Sequence, residues 1–250
     1  MKAKVYGMPG SHPVKAAMLM LGHKGIEAKR IDLPNVVSRP VLRAMGFPGP
    51  TVPAVKIDNR RVQTTRALAR ALDELLPDPP LFPADPALRA RVEEAERWGD
   101  EVLQMVPRRL SFSTPMRRNR ADFSEFFEGP LLGLPPRVAM ACAAPLLAAS
   151  ARVNKATDEA VRADLEALPG MLDHVDALIE EGVIGSAERN AADFQIAPSL
   201  RLLMCFDDIR PAIEGRPAER FARAVAPHFP GHVRPGLPAD WLALLRPGPA

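Results

Sequence analysis

Polar and apolar positions alternate through Lys4-Val5-Tyr6, predicting a short strand over 3–6 that Met8-Pro9-Gly10 ends. Pro13 then opens a segment, 14–24, in which Ala16, Ala17, Leu19, Met20 and Leu21 recur at helical spacing. Residues 27–33 read as a second strand, and short helical material around 40–45 precedes Gly46-Phe47-Pro48-Gly49-Pro50. Residues 52–57 and 61–63 read as two strands joined at Asp58-Asn59-Arg60, and Leu68, Leu72, Leu75 and Leu76 stripe a helix over 65–76. The predicted order is β-α-β-α-β-β-α, an α/β domain. Pro77 to Pro83 cannot continue a helix, so we read residues 1–77 as one domain, 78–85 as a linker and 86–250 as a second domain. The second domain is helical in pattern throughout, with candidates over 86–106, 136–153 and 157–181. Another helix begins at Asn190, where Asp193 completes a capping-box pattern. Residues 111–133 carry no legible period.

Composition changes this picture little. A chain of 250 residues holds two modest domains or one large one, and 47% hydrophobic with 25% charged residues is ordinary for a globular protein. A net charge of +3 is too small to argue for a nucleic-acid partner. Cys142 and Cys205 lie far apart in apolar surroundings and read as buried, reduced thiols rather than a secreted disulfide framework. The N-terminus enters a strand directly with no signal-peptide core. The apolar stretch 131–150 is broken by Pro135, Pro136, Arg137 and Pro145, short of the roughly 20 residues a membrane span needs. A cytoplasmic protein with no membrane partner is the expectation.

The candidate chemistry starts at Ser11-His12-Pro13-Val14, where a hydroxyl sits at the mouth of a helix whose free N–H groups and dipole favour negative charge. That is a place to hold a thiolate; the competing reading is an ordinary N-cap serine. Tyr6 is the rival hydroxyl and reads as strand core. His12 is a candidate contact, although a solvated turn histidine is the simpler reading. His228 and His232 have the i,i+4 spacing of a metal pair, but Pro230-Gly231 between them argues against a helix, so no metal is expected. Arg117, Arg118 and Arg120 read as a solvated face. Trp98, Phe112, Phe123, Phe126 and Phe127 read as core. No phosphate loop, dinucleotide fingerprint or nucleophile elbow appears.

Taken together, these segments resemble the soluble glutathione transferase family over most of 3–83 and 86–230. Ser11-His12-Pro13-Val14 is similar to the active-site turn of its theta-like, serine-type members. Thr51-Val52-Pro53-Ala54 is similar to the segment in which a cis proline begins the third strand. Thr64 to Glu74 resembles the helix that follows the fourth strand, and Asn190 to Pro198 the buried capping box of the helical domain.

The resemblance implies a thioredoxin-like N-terminal domain followed by an all-helical domain, and a homodimer that joins glutathione, or another small thiol, to a small hydrophobic electrophile. It implies that Ser11 donates to the sulfur and keeps it as thiolate, with His12 beside it. The Val52 backbone before cis Pro53 would pair with the cysteinyl part of the tripeptide, and Thr64 and Thr65 would receive the γ-glutamyl carboxylate. Met105 and Arg109 would line the electrophile pocket. The chain departs from the family at Thr64, where an acidic residue ordinarily pairs with the γ-glutamyl amine. Val14 stands at the resolving-cysteine position and Ser11 at the attacking one, so thioredoxin-type disulfide exchange is unavailable. A non-catalytic binding or scaffold protein with a degenerate thiol site is the alternative, and a thiol-dependent isomerase or reductase a third reading.

Overall fold

The computed structural model describes residues 1–33, 35–127 and 134–245. Strands β1 (Lys2–Gly7), β2 (Glu27–Asp32), β3 (Ala54–Ile57) and β4 (Arg60–Gln63) form one mixed sheet in the order β2-β1-β3-β4. β1 and β2 run parallel around α1 (His12–His23), while β3 runs antiparallel to both β1 and β4. α2 (Asn35–Ala44) and α3 (Thr65–Leu75) complete the thioredoxin-like domain. Side chains alternate across a strand, so the paired Val5 and Val55 enter the main core while the paired Tyr6 and Ala54 enter a smaller cluster with Leu42 and Phe47. Tyr6 packs edge-on against Phe47, a strand-core tyrosine as the alternation implies. The third strand starts two residues later than predicted, because the Val52-Pro53 peptide is cis and the ladder begins only at Ala54.

Beyond the linker the chain is helical: α4 (Pro86–Trp98), α5 (Met105–Phe112), α6 (Thr114–Arg118), α7 (Pro136–Cys142), α8 (Ala144–Val153), α9 (Asp158–Glu180), α10 (Ala191–Leu203), α11 (Arg210–Ile213), α12 (Pro217–Val225) and α13 (Ala239–Leu242). Two predicted helices prove to be broken. The 86–106 helix is interrupted by a π turn at Gly99–Leu103. There Gly99 lets α10 approach so closely that a Cβ would lie 2.9 Å from Ile196. The 136–153 helix divides at Ala143, before Pro145, into α7 and α8. Those two helices bury only Met140 and Ala151 and leave Val138, Leu146 and Val153 exposed. Cys142 is exposed too, correcting the expectation of a buried thiol, whereas Cys205 is buried and its pKa is pushed up to about 11 by desolvation. In the stretch without a legible period, α6 is followed by a 3-10 helix at Arg120–Phe126, and residues 128–133 lie outside the described residues. None of the described helices is long and apolar enough to cross a membrane.

α10 is the spine of the helical domain and packs along α1, so one apolar core runs through both domains. A buried lysine ties the linker to this seam. Lys24 Nζ, with its side chain fully buried, donates at 2.6 Å to Asp73 Oδ1, to the Leu76 carbonyl and to the Pro79 carbonyl. Asp73 in turn accepts from the Leu81 and Phe82 N–H groups. Nothing in the sequence pattern separates Lys24 from a solvated lysine at a helix end.

Candidate thiol site

Ser11 is the N-cap residue of α1, yet its side chain makes no capping hydrogen bond. Pro13 in the first turn supplies no N–H there, and among the described residues the half-buried hydroxyl has no hydrogen-bond partner. Gly10 before it adopts φ +71°, and the Phe126 ring lies over it so closely that a Cβ would sit 2.6 Å from Cδ1. The segment that carried no pattern thus packs directly onto the Ser11 turn. Phe123 stacks on Phe126, and Asp122 beneath accepts from the Arg234 N–H and guanidinium, which holds the Asp122 carboxyl below the usual range. Trp98, Phe123 and Phe127 pack against the core only partly buried, and Phe126 is fully inside.

The backbone just before β3 presents an open edge. Val52, just before cis Pro53, has no hydrogen bond at its N–H or carbonyl among the described residues. Its loop is held from below by Gln63, a buried side chain that donates to the Gly49 and Thr51 carbonyls and accepts from the Gly49 N–H. An amide that satisfies both groups of one residue acts like a one-residue strand and fixes the height of the edge. Gln63→Leu is expected to destabilise the protein by about 2 kcal/mol by releasing this loop, with each of the three bonds contributing roughly 0.5–1.5 kcal/mol. Urea unfolding followed by circular dichroism checks this; an unchanged midpoint would mean that the loop is held without the amide.

At the start of α3, Thr64 takes φ 76° and ψ 153°, a conformation that costs a β-branched residue on the order of 1–3 kcal/mol. Its N–H donates to the Pro53 carbonyl and its hydroxyl accepts from the Ala67 N–H, so the hydroxyl serves as a helix cap. Thr65 is buried. Among the described residues the Thr65 and Arg66 N–H groups, in the first turn of the helix, have no protein acceptor. Arg66 itself leans toward Glu101 at 3.2 Å.

The helical-domain wall differs from the sequence reading in two places. His12 is 4% exposed, not solvated: in the first turn of α1 it projects against α5 and hydrogen-bonds the Gln104 backbone, while Nε2 has no partner. Burial holds its pKa well below the ordinary value, and the Arg108 charge adds to this, so the ring is neutral at pH 7. Arg109, expected on the pocket, instead pairs with Asp164 of α9 at 2.7 Å. Successive helical residues are rotated by about 100°, and Arg108 therefore faces the seam that Arg109 turns away from. Met105 is half-buried, its sulfur contacting Arg108 Nη1 at 3.7 Å. Deeper in the interface Arg70 pairs with the buried Glu96 at 2.7 Å, whose pKa burial nonetheless raises.

His228 and His232 lie on irregular chain, and His232 Nε2 contacts Asp207 Oδ2 at 2.7 Å. Among the described residues no group of three or more His, Cys, Asp or Glu side chains is placed to hold a metal. The open depressions, against Trp98 and His174 between α4 and α9 and against Trp241 beside α9, lie away from Ser11.

A four-stranded thioredoxin-like sheet followed by an all-helical region, with a serine at the mouth of the first helix, defines the class of fold. Residues 5–80 match the family described as glutathione S-transferase, N-terminal domain. The whole chain superposes on a glutathione S-transferase from Rhodospirillum rubrum F11 with a TM-score of 0.56 and 18% identity, covering 97% of this chain and 99% of that one. It matches FzlA from C. crescentus equally well in shape, with a TM-score of 0.56, 17% identity and coverage of 98% and 99%. The β-etherase LigF from Sphingobium sp. strain SYK-6 matches with a TM-score of 0.58 and 15% identity over 82% and 84%. No curated protein matches the sequence. Residues 5–80 carry the sequence of a glutathione S-transferase N-terminal domain, and the chain as a whole shares the fold of these structures.

Proposed function

We propose that the protein activates a small thiol, glutathione or an equivalent, at Ser11 and adds its sulfur to an apolar electrophile held against the α5 wall. The observation that carries this is the Ser11 hydroxyl, free of its capping duty at the N-terminus of a twelve-residue helix. A free thiol titrates near 8.5; a hydrogen bond together with the helix N-terminus favours its charged form and lowers that value toward neutrality. The open Val52 edge supports an extended tripeptide added like a strand, and the Thr65 and Arg66 N–H groups support its γ-glutamyl carboxylate. His12 and Met105 close the site on the helical side. We further propose a homodimer working in the cytoplasm, with 78–85 as the linker between a thiol domain and a substrate domain; the Lys24 and Asp73 bonds to that segment support this division.

The test is Ser11→Ala. The pKa of bound glutathione, followed by thiolate absorbance in the ultraviolet, is expected to rise by one to two units. Conjugation at pH 7 should then fall about ten- to a hundredfold, since each unit is about 1.4 kcal/mol. An unchanged thiolate titration in Ser11→Ala would remove the serine from the mechanism.

A non-catalytic binding protein is the second reading. It is favoured by Thr64, which brings no carboxylate to the γ-glutamyl amine and uses its hydroxyl to cap α3. Titration calorimetry with glutathione and other cellular thiols separates the two readings, because a scaffold would bind none of them.

A further inference from the structure

Arg108 stands apart from the other arginines at the domain interface. Arg66, Arg70 and Arg109 each have a carboxylate within 4.0 Å. Arg108 has none among the described residues, and its one hydrogen-bonding contact is the Met105 sulfur. Its surroundings are nonetheless desolvating: burial lowers its pKa, and the neighbouring Arg109 charge acts in the same direction. Asp100 is its opposing charge, but the Asp100 carboxylate is held by Gln104 Nε2 and shared with the field of Arg66. A guanidinium in such a place has most of its five N–H donors uncommitted.

Its position is fixed by its neighbours. Gln104 and Arg108 are one helical turn apart and share a face, and the Gln104 backbone is bonded to His12, the residue after Ser11. His12 is 96% buried by the same contact and brings an unpartnered Nε2 to this corner. The chain from 105 to 121 carries Arg108, Arg109, Arg117, Arg118 and Arg120 and no Asp or Glu. Helix dipole, guanidinium and local composition all favour negative charge at this corner beside the Ser11 turn.

We propose that Arg108 binds an anionic group, a carboxylate or sulfonate, on the apolar electrophile, so that the substrates are amphipathic anions whose body lies against Met105. This rests on reading the Ser11 seam as the thiol site. The planar fork suits a bidentate carboxylate or sulfonate, which Lys would hold only as a point charge. The thioether beside it adapts to varied apolar bodies.

Two fluorescent probes that share an apolar body test this without turnover: 8-anilinonaphthalene-1-sulfonate and neutral N-phenyl-1-naphthylamine. The wild-type protein is expected to bind the sulfonate at least about tenfold more tightly than the neutral probe, with or without saturating glutathione. Arg108→Met should abolish the preference, Arg108→Lys should keep part of it, and exposed Arg118→Met should leave it intact. Equal affinities in the wild type, or a preference surviving in Arg108→Met, would overturn the proposal. A preference that disappears when glutathione is added would also overturn it, by assigning the guanidinium to the thiol's own carboxylate. Circular dichroism checks that Arg108→Met folds; if it does not, the wild-type ratio and Arg108→Lys decide. No thiol chemistry enters the measurement, so a protein that binds no glutathione can still show the Arg108 preference, and one that binds it can lack it.

Discussion

Replacing Lys24 by alanine is expected to destabilise the protein by about 3–5 kcal/mol, the range seen when one member of a buried ion pair is removed. The ammonium serves three acceptors at 2.6 Å, and none has an easy substitute. Asp73 keeps its bonds from Leu81 and Phe82, but the Leu76 and Pro79 carbonyls lose the donor that satisfies them at the end of α3 and the start of the linker. Each buried orphan contributes roughly 1–3 kcal/mol of penalty. In a chain of this size the midpoint of thermal unfolding should fall by about 10 °C. Thermal and urea unfolding followed by circular dichroism measure both numbers. A loss under about 1 kcal/mol would show that water replaces the ammonium and that the linker is not held through it.

The second large effect is expected at Asp193. Its carboxylate is fully buried and accepts from the Asn190 N–H and the Gly185 N–H, both at 2.7 Å, while Asn190 Oδ1 accepts from the Ala192 and Asp193 N–H groups. Asn190 Nδ2 donates to the Val183 carbonyl, and the Ala191 N–H reaches the Leu81 carbonyl across the domain seam. Burial raises the Asp193 pKa even against these donors, so the site is costly to desolvate and is held by its bonds. Asp193→Ala leaves the buried Asn190 N–H and the part-buried Gly185 N–H without acceptors and creates a cavity at the start of the spine helix, and about 3–4 kcal/mol of stability should go with them. Asp193→Asn keeps one acceptor and should lose less. Equal losses in the two variants, measured by urea unfolding, would mean that packing rather than the reciprocal cap sets the stability of α10.

These two sites were not equally legible. The Asn190–Asp193 box, Asp85 before Pro86 and Thr157 before Asp158 are local devices, in which a side chain meets a backbone N–H two or three residues on, and the chain order alone announces them. Lys24 meets partners 49 to 55 residues away, and no local pattern marks it. The π turn at Gly99 was hidden because it answers the close approach of α10 rather than any breaker in the sequence.

The same division runs through the site. Sequence by itself determined the order of strands and helices, the serine at the mouth of α1 and the caps, because each follows from short-range periodicity, backbone restriction or side-chain reach over a few residues, whereas the cis proline before the third strand was implied by the family resemblance. Only the tertiary structure decided which way α5 faces. It turned Arg109 to Asp164 and Arg108 toward His12, drew His12 out of water, and laid Phe126 over Gly10. An amphipathic pattern defines which side of a helix is apolar, but the polar residues flanking that side acquire their partners only when another element is packed against them.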